Sequence, residues 1–138
     1  MFRKVLHSKI HQAVVTEARP DYQGSLTIDS DLLDQCGMRE HDSILVANCE
    51  TGDRFETYIF AGDQGSGVIG VNGAAAHLAK PGDRIIIIHW AYLDEAESVS
   101  HTVRDHLLGA HIGDGKHGEY FLDRPPHGME ANIADLVC

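Results

Sequence analysis

The apolar segments of this chain are short, and a turn signal closes each one. That property limits the fold more than any other. Val5 to Glu17 carries no Gly or Pro and includes the strand-like run Ala13-Val14-Val15-Thr16, which Arg19-Pro20-Asp21 then breaks. Ser25-Leu26-Thr27-Ile28 is a short strand pattern. Asp29-Ser30-Asp31 offers a helix N-cap, Leu32-Leu33 a buried face and Gly37 a stop, which predicts a helix of about two turns. Ser43 to Cys49 and Arg54 to Ala61 flank the turn Glu50-Thr51-Gly52-Asp53 and predict a hairpin. Gly62 to Gly67 reads as a loop and Val68 to Val71 as a strand. Asn72 is placed to cap a short helix through Ala79, which Lys80-Pro81-Gly82-Asp83 ends. Arg84 to Trp90 is apolar throughout its interior and predicts a central strand. Short strands joined by brief helices predict a mainly β fold, a closed or nearly closed barrel.

At 138 residues the chain is one domain by size, and 43% hydrophobic with 23% charged residues is ordinary for a soluble globule. A formal net charge of −10 argues against a nucleic-acid partner, whose phosphates require basic patches. It leaves room for a small acidic substrate, because a few local cations override the global sign. Cys36, Cys49 and Cys138 are odd in number and lack metal spacing, so they read as idle thiols in a reducing compartment. The N-terminus has no apolar core of signal-peptide length, and Ile85 to Ile88 falls far short of a membrane span. The expectation is a cytoplasmic protein with no membrane partner. Near Ser98 the composition shifts. Residues 98–138 are rich in His and Gly, contain Pro125-Pro126, and read as an irregular tail with one helical turn around Thr102 to Leu108.

Chemistry points to Gly24-Ser25. A bare Gly-Ser also marks an ordinary flexible turn, but here it sits in Tyr22-Gln23-Gly24-Ser25 just before an apolar run. A serine hydroxyl can attack the preceding carbonyl and turn the amide into an ester. β-Elimination then cuts the chain, and hydrolysis of the dehydroalanine leaves a pyruvoyl group. Gly24, lacking a Cβ, can take φ > 0 and leave its carbonyl open to attack. The step needs donors for a developing oxyanion, and Thr57 is the candidate. A pyruvoyl carbonyl condenses with a substrate amine to an imine and accepts the electrons left by departing CO2. Tyr58 is the candidate proton donor, although an isolated strand tyrosine equally packs on a barrel with its hydroxyl in water. Thr57 and Tyr58 are adjacent on a strand and so point to opposite faces. Serving one site requires a bend or a subunit boundary.

Arg54 and Lys9 are the candidate carboxylate binders, one a planar fork and the other a point charge. Asn72-Gly73-Ala74-Ala75-Ala76 opens a short helix whose exposed N–H groups form an anion cradle, while its small residues equally suit close packing. His11 and His77 fit ordinary core or surface positions. The late histidines (His101, His106, His111, His117, His127) do not repeat on a helix face, so no metal is expected. Pyridoxal phosphate is not expected either, since no lysine has a credible phosphate site around it.

Taken together these residues resemble the pyruvoyl-dependent aspartate 1-decarboxylases. The likeness is carried by Lys9-Ile10-His11, Tyr22-Gln23-Gly24-Ser25, Asn48, Arg54 to Tyr58, Gly65-Ser66-Gly67, Asn72 to His77 and Pro81-Gly82-Asp83, across about the first 97 residues. The resemblance implies a double-psi β-barrel over residues 1–97, with 98–138 a divergent tail. It implies a homotetramer with sites between subunits, and a zymogen that cleaves itself into residues 1–24 and 25–138. Gly24, Ser25, Thr57 and His11 would serve processing, and Ser25 would become the pyruvoyl group. Tyr58 would return the proton. Lys9, Arg54, Thr57, Asn72, Gly73, Ala74 and Ala75 would bind L-aspartate, converted to β-alanine and CO2 for pantothenate synthesis, with a maturation factor as a further partner. Family chains carry a further apolar strand after a Pro; Ser98 to Gly118 has no such run, and Glu119-Tyr120-Phe121-Leu122-Asp123 is a displaced version of it. Two alternatives stand beside this reading. One is the same chemistry on glutamate, because one methylene is discriminated by only about 1–3 kcal/mol. The other is a non-processing barrel acting as an interaction or regulatory module.

Overall fold

The computed structural model describes residues 1–107, with the backbone alone for residues 105–107. In chain order it contains β1 (Arg3–Val14), β2 (Glu17–Arg19), β3 (Ser25–Asp29), α1 (Ser30–Cys36), β4 (Ser43–Asn48), β5 (Arg54–Gly62) and β6 (Ile69–Asn72). A 3-10 helix (Gly73–His77), β7 (Arg84–Leu93), α2 (Glu95–Val99) and β8 (Arg104–Leu107) follow. The eight strands form one row in the order β2-β6-β3-β5-β4-β7-β1-β8. Pairs β2·β6, β3·β5 and β1·β8 are parallel and the others antiparallel. The protein is mainly β, and this interleaving fits the expected double-psi β-barrel.

Curvature of the row follows from a short connection. Only Val15 and Thr16 separate β1, near one end of the row, from β2 at the other. The Val15 N–H donates to the Asp83 carbonyl at 2.9 Å and the Thr16 N–H to the Ile69 carbonyl at 2.9 Å. This stretch therefore crosses from the β7 side to the β6 side and wraps the row around its apolar interior. Among the described residues no ladder joins β2 to β8, so strand pairing does not close the sheet. Ile10, Leu26, Ile28, Ile59, Ile85 and Ile87 are fully buried at its centre. In β4 the strict alternation buries Ile44, Val46 and Asn48.

The helix after β3 forms where its capping residues predict it. The Asp29 carboxylate accepts the Asp31 N–H at 2.9 Å, and Gly37 closes the helix in the left-handed region at φ 65°. The same carboxylate accepts the N–H groups of Gly65 at 3.0 Å and Gly67 at 2.6 Å, which ties the 62–68 loop to the start of the helix.

The expected helical turn around Thr102 to Leu108 is instead the strand β8, paired in parallel with Ser8 to His11 of β1. An edge strand exposes unpaired N–H and C=O groups, and a neighbouring segment of weak local preference is drawn into the ladder. The short helix before it, α2, is closed by a reciprocal capping box between Asp94 and Glu97. The displaced segment Glu119 to Asp123, Pro125-Pro126, Cys138 and the histidines 111, 117 and 127 lie outside the described residues. No helix among the described residues is long and apolar enough to cross a membrane.

Candidate active site

β3 begins at the bond the sequence singled out, and exposure changes across it. Tyr22, Gln23 and Gly24 are exposed, while Ser25 is 1% exposed. Ser25 opens β3 because its antiparallel partner across β6 is Asn72. The Asn72 side chain reaches over this pair and donates from Nδ2 to Ser25 Oγ at 3.1 Å and to Thr27 Oγ1 at 2.9 Å. Asn72 was expected to cap the following helix. It makes no capping hydrogen bond, because its amide is committed to the two hydroxyls of β3. The helix it precedes is 3-10 and ends at His77, short of the expected Ala79.

The unusual backbone also falls one residue later than expected. Gly24 has no positive φ; Ser25 does, at 119°, and so does Gly73, at 63°. For a residue with a Cβ such a φ costs about 1–3 kcal/mol and persists only where the surroundings enforce it. Here the pairing with Asn72 and the bond to its side chain are the contacts that hold Ser25 while it carries that φ. Gly73 has to be glycine on two counts: its φ, and a Cβ there would stand 2.8 Å from Gly24 Cα. The first residue of the 3-10 helix is thus seated against the backbone of Gly24 and the Tyr22 carbonyl. On the side where a Cβ of Gly24 would point nothing lies within 4 Å.

β5 brings the next residues alongside. Its parallel ladder with β3 starts at Leu26↔Ile59, so Ser25 and Tyr58 each lie one step before the first pair. Tyr58 is 41% exposed, with its ring 6.1 Å from that of Phe60, and Thr57 is half-buried on the alternate face. Arg54, exposed, opens the same strand. Arg3, Arg19 and Arg84 each pair with a glutamate, whereas Arg54 pairs with no carboxylate among the described residues. Lys9, alone a surface type, is buried in β1, where its backbone partners are Ile88 and Asp105. His11 is half-buried at the register shift between Ile10 and Ala13, next to Gln12 at φ 59°. Ala74 is exposed and Ala75 partly buried at the start of the 3-10 helix. His77 is exposed, and His101 bonds through Nε2 to the Leu6 carbonyl at 2.7 Å.

Two supports escaped the sequence reading. One is Thr27, which shares Asn72 with Ser25. Its signal was its spacing, since residues two apart on a strand share a face. The other is the buried pair Asn48 and Asp83. Asn48 Nδ2 donates to Asp83 Oδ2 at 2.8 Å and to the Leu78 carbonyl at 2.9 Å, fastening the segment after the 3-10 helix to the end of β4. The bond from Asn48, then that from the Lys80 N–H, hold the Asp83 carboxyl below its ordinary range. A polar residue at an inward position of an alternating strand was the available signal.

The chain matches the aspartate decarboxylase family over residues 1–109. An aspartate 1-decarboxylase of Neisseria meningitidis is 42% identical over 127 residues, covering 92% of this chain and 98% of the relative. One from Bacillus pumilus is 50% identical over 102 residues, 74% of this chain and 80% of the relative. One from Chlorobium chlorochromatii is 53% identical over 98 residues, 71% of this chain and 76% of the relative.

Proposed function

Because the chain belongs to the aspartate decarboxylase family, we propose that it converts L-aspartate to β-alanine and CO2 after cutting its own backbone between Gly24 and Ser25. The observation that carries this is the strained, buried Ser25, held by Asn72 with Gly73 packed against the backbone of Gly24.

In the cut, the Ser25 Oγ lone pair bonds to the Gly24 carbonyl carbon and the Ser25 N–Gly24 C bond breaks. The hydroxyl proton goes to the nitrogen, leaving an ester. Loss of the Ser25 α-proton to a base, with rupture of Cβ–Oγ, releases the Gly24 carboxylate and a dehydroalanine. Water hydrolyses that residue, freeing ammonia and leaving a ketone. Gly24 is exposed, so water reaches the bond, and positive φ at Ser25 offsets part of the barrier by raising the ground state. Asn72 occupies Oγ as a donor, so the serine's own hydrogen points away from Asn72 and is free to transfer. Thr57 and His11 complete the processing set in this reading.

The surroundings of Ser25 fit a pyruvoyl group: open space beside Gly24, a backbone already bent at residue 25, and the Asn72 amide within reach. Once formed, that group supplies the carbonyl to which the amino group of the substrate binds and the sink for the electrons left by CO2. Arg54 and Lys9 hold the two carboxylates, the first as a fork without a competing acid among the described residues. Tyr58 returns the proton from the strand position beside residue 25. Gly73 to Ala75, with Asn72, line the substrate. Arg54 and Tyr58 lie exposed, which supports a homotetramer whose sites form between subunits. We place the protein in the cytoplasm, in pantothenate synthesis, with residues 1–97 as the catalytic barrel and 98–138 as its tail.

Denaturing mass spectrometry of the purified protein tests the reading. Two fragments, residues 1–24 and 25–138, are expected, the larger beginning with a borohydride-reducible carbonyl. Ser25→Ala stays whole and forms no β-alanine. An intact wild-type chain, or a normal rate in Ser25→Ala, overturns it.

A further inference from the structure

We propose that Thr27 is a positioning residue for the Gly24-Ser25 cut, its hydroxyl holding the Asn72 carboxamide with Nδ2 turned toward Ser25. The inference rests on the self-cleavage proposed above.

Ser25 and Thr27 lie two apart on β3 and so share a face, with Asn72 and Gly70 opposite them on β6. One nitrogen serves both hydroxyls, at 3.1 Å and 2.9 Å. An amide NH2 has two hydrogens, and in this place each has an acceptor. Asn72 is 2% exposed, so water does not replace a lost partner freely. Thr27 cannot easily turn its hydroxyl away. Its β-branched side chain is stiff, and it fills space that glycines on both neighbouring strands leave open. A Cβ on Gly62 would stand 3.2 Å from Thr27 Cγ2, and one on Gly70 3.4 Å from Thr27 Cβ.

Take away that oxygen alone and the balance of orientations shifts toward the flipped amide. With an apolar neighbour, the NH2 face leaves one buried N–H without an acceptor. On this face the flipped amide leaves a spare lone pair on Oδ1, which costs less than a buried N–H without an acceptor, and it turns both N–H groups to the side that Oδ1 had held. Flipped, Oδ1 accepts the hydrogen of Ser25 Oγ. That hydrogen is the one that must move to the Ser25 nitrogen, so the cut slows. Nothing in this argument requires Thr27 to touch the reacting atoms.

The test follows disappearance of the uncut chain by denaturing mass spectrometry in wild type, Thr27→Val and Thr27→Ser. Valine keeps the shape and removes the oxygen; serine keeps the oxygen and removes the methyl. Thr27→Val is expected to cut about tenfold more slowly, the effect of one neutral hydrogen bond, and Thr27→Ser within about twofold of wild type. A packing role gives the reverse order. Thermal unfolding of each variant shows whether it is folded, and Thr27→Ala carries the same expectation as valine should valine not fold. Cutting at the wild-type rate in the variants lacking the hydroxyl, or equal slowing in valine and serine, overturns the inference while self-cleavage stands. A wild-type chain that never cuts overturns both.

Discussion

Ser25 and Tyr58 lie side by side at the open end of the β3·β5 ladder, yet their surroundings are opposite. Ser25 is 1% exposed, bent to φ 119°, and bonded to a side chain from β6. Tyr58 is 41% exposed on a strand whose neighbouring Arg54 and Glu56 also face outward. The surroundings of Ser25 are assembled by one chain: Asn72, Thr27, Gly73 and the pairing of two strands. Those of Tyr58 present side chains outward with little among the described residues to meet them. The difference separates two requirements. Under the proposed function, cutting the backbone calls on the interior of a folded chain, whereas turnover of a substrate calls on a surface that a second copy would complete.

On that division, substitutions of the outward-facing Arg54 and Tyr58 of β5 spare the cut and reduce turnover, while Thr57 on the same strand stays with the processing set. Tyr58→Phe is the largest: both fragments form at the wild-type rate, while kcat for aspartate falls by about 10²–10⁴, the range for a positioned proton donor. A Tyr58→Phe chain that stays uncut would merge the two regions and break the comparison. Arg54→Gln comes next. It keeps length and polarity but loses the charge and the fork, so KM for aspartate rises about 10–100-fold with cutting unchanged. Steady-state kinetics on material already shown to be cut measures both. An unchanged KM would leave Arg54 an ordinary surface residue.

The smallest effect sharpens the contrast from a third place. Between β1 and β7, the His7 ring lies 4.8 Å from that of His89 and 6.2 Å from that of His101. Burial lowers the pKa of His7, and His89, Arg104 and His101 lower it further; Asp42 opposes them. Burial also lowers the pKa of His89, against the pull of Asp42, whose Oδ2 is 3.4 Å from Nε2. A histidine with a lowered folded pKa takes up its proton more readily when unfolded. Stability from this cluster is therefore complete above the unfolded value of about 6.5 and declines as pH falls below it toward the lowered folded values. The thermal midpoint, flat above neutrality, should decrease on acidification, and His89→Gln should weaken that decrease. A midpoint that rises on acidification would refute the assignment.

Much of the fold was legible where a local cause acts alone. Asp29 and Gly37 mark the ends of α1 because capping and left-handed closure involve only neighbours in sequence. The hairpin of β4 and β5 follows from its turn, and Arg84 to Trp90 from its apolar run. Legibility failed where a distant partner chose. Arg104 to Leu107 became a strand because β1 had an open edge to offer. Asn72 gave up capping because β3 brought two hydroxyls to it. Positive φ fell not on Gly24, which permits it, but on Ser25, which is held by its pairing with Asn72.

The order of residues alone pointed to the candidate bond and the residue types around it, since a glycine-serine pair and its neighbouring motifs are properties of composition and spacing. Which groups meet that bond was settled in three dimensions. Side chains separated by nearly fifty positions touch only after β3 and β6 pair, and a hydrogen bond between them exists only at the separation and angle which that pairing sets.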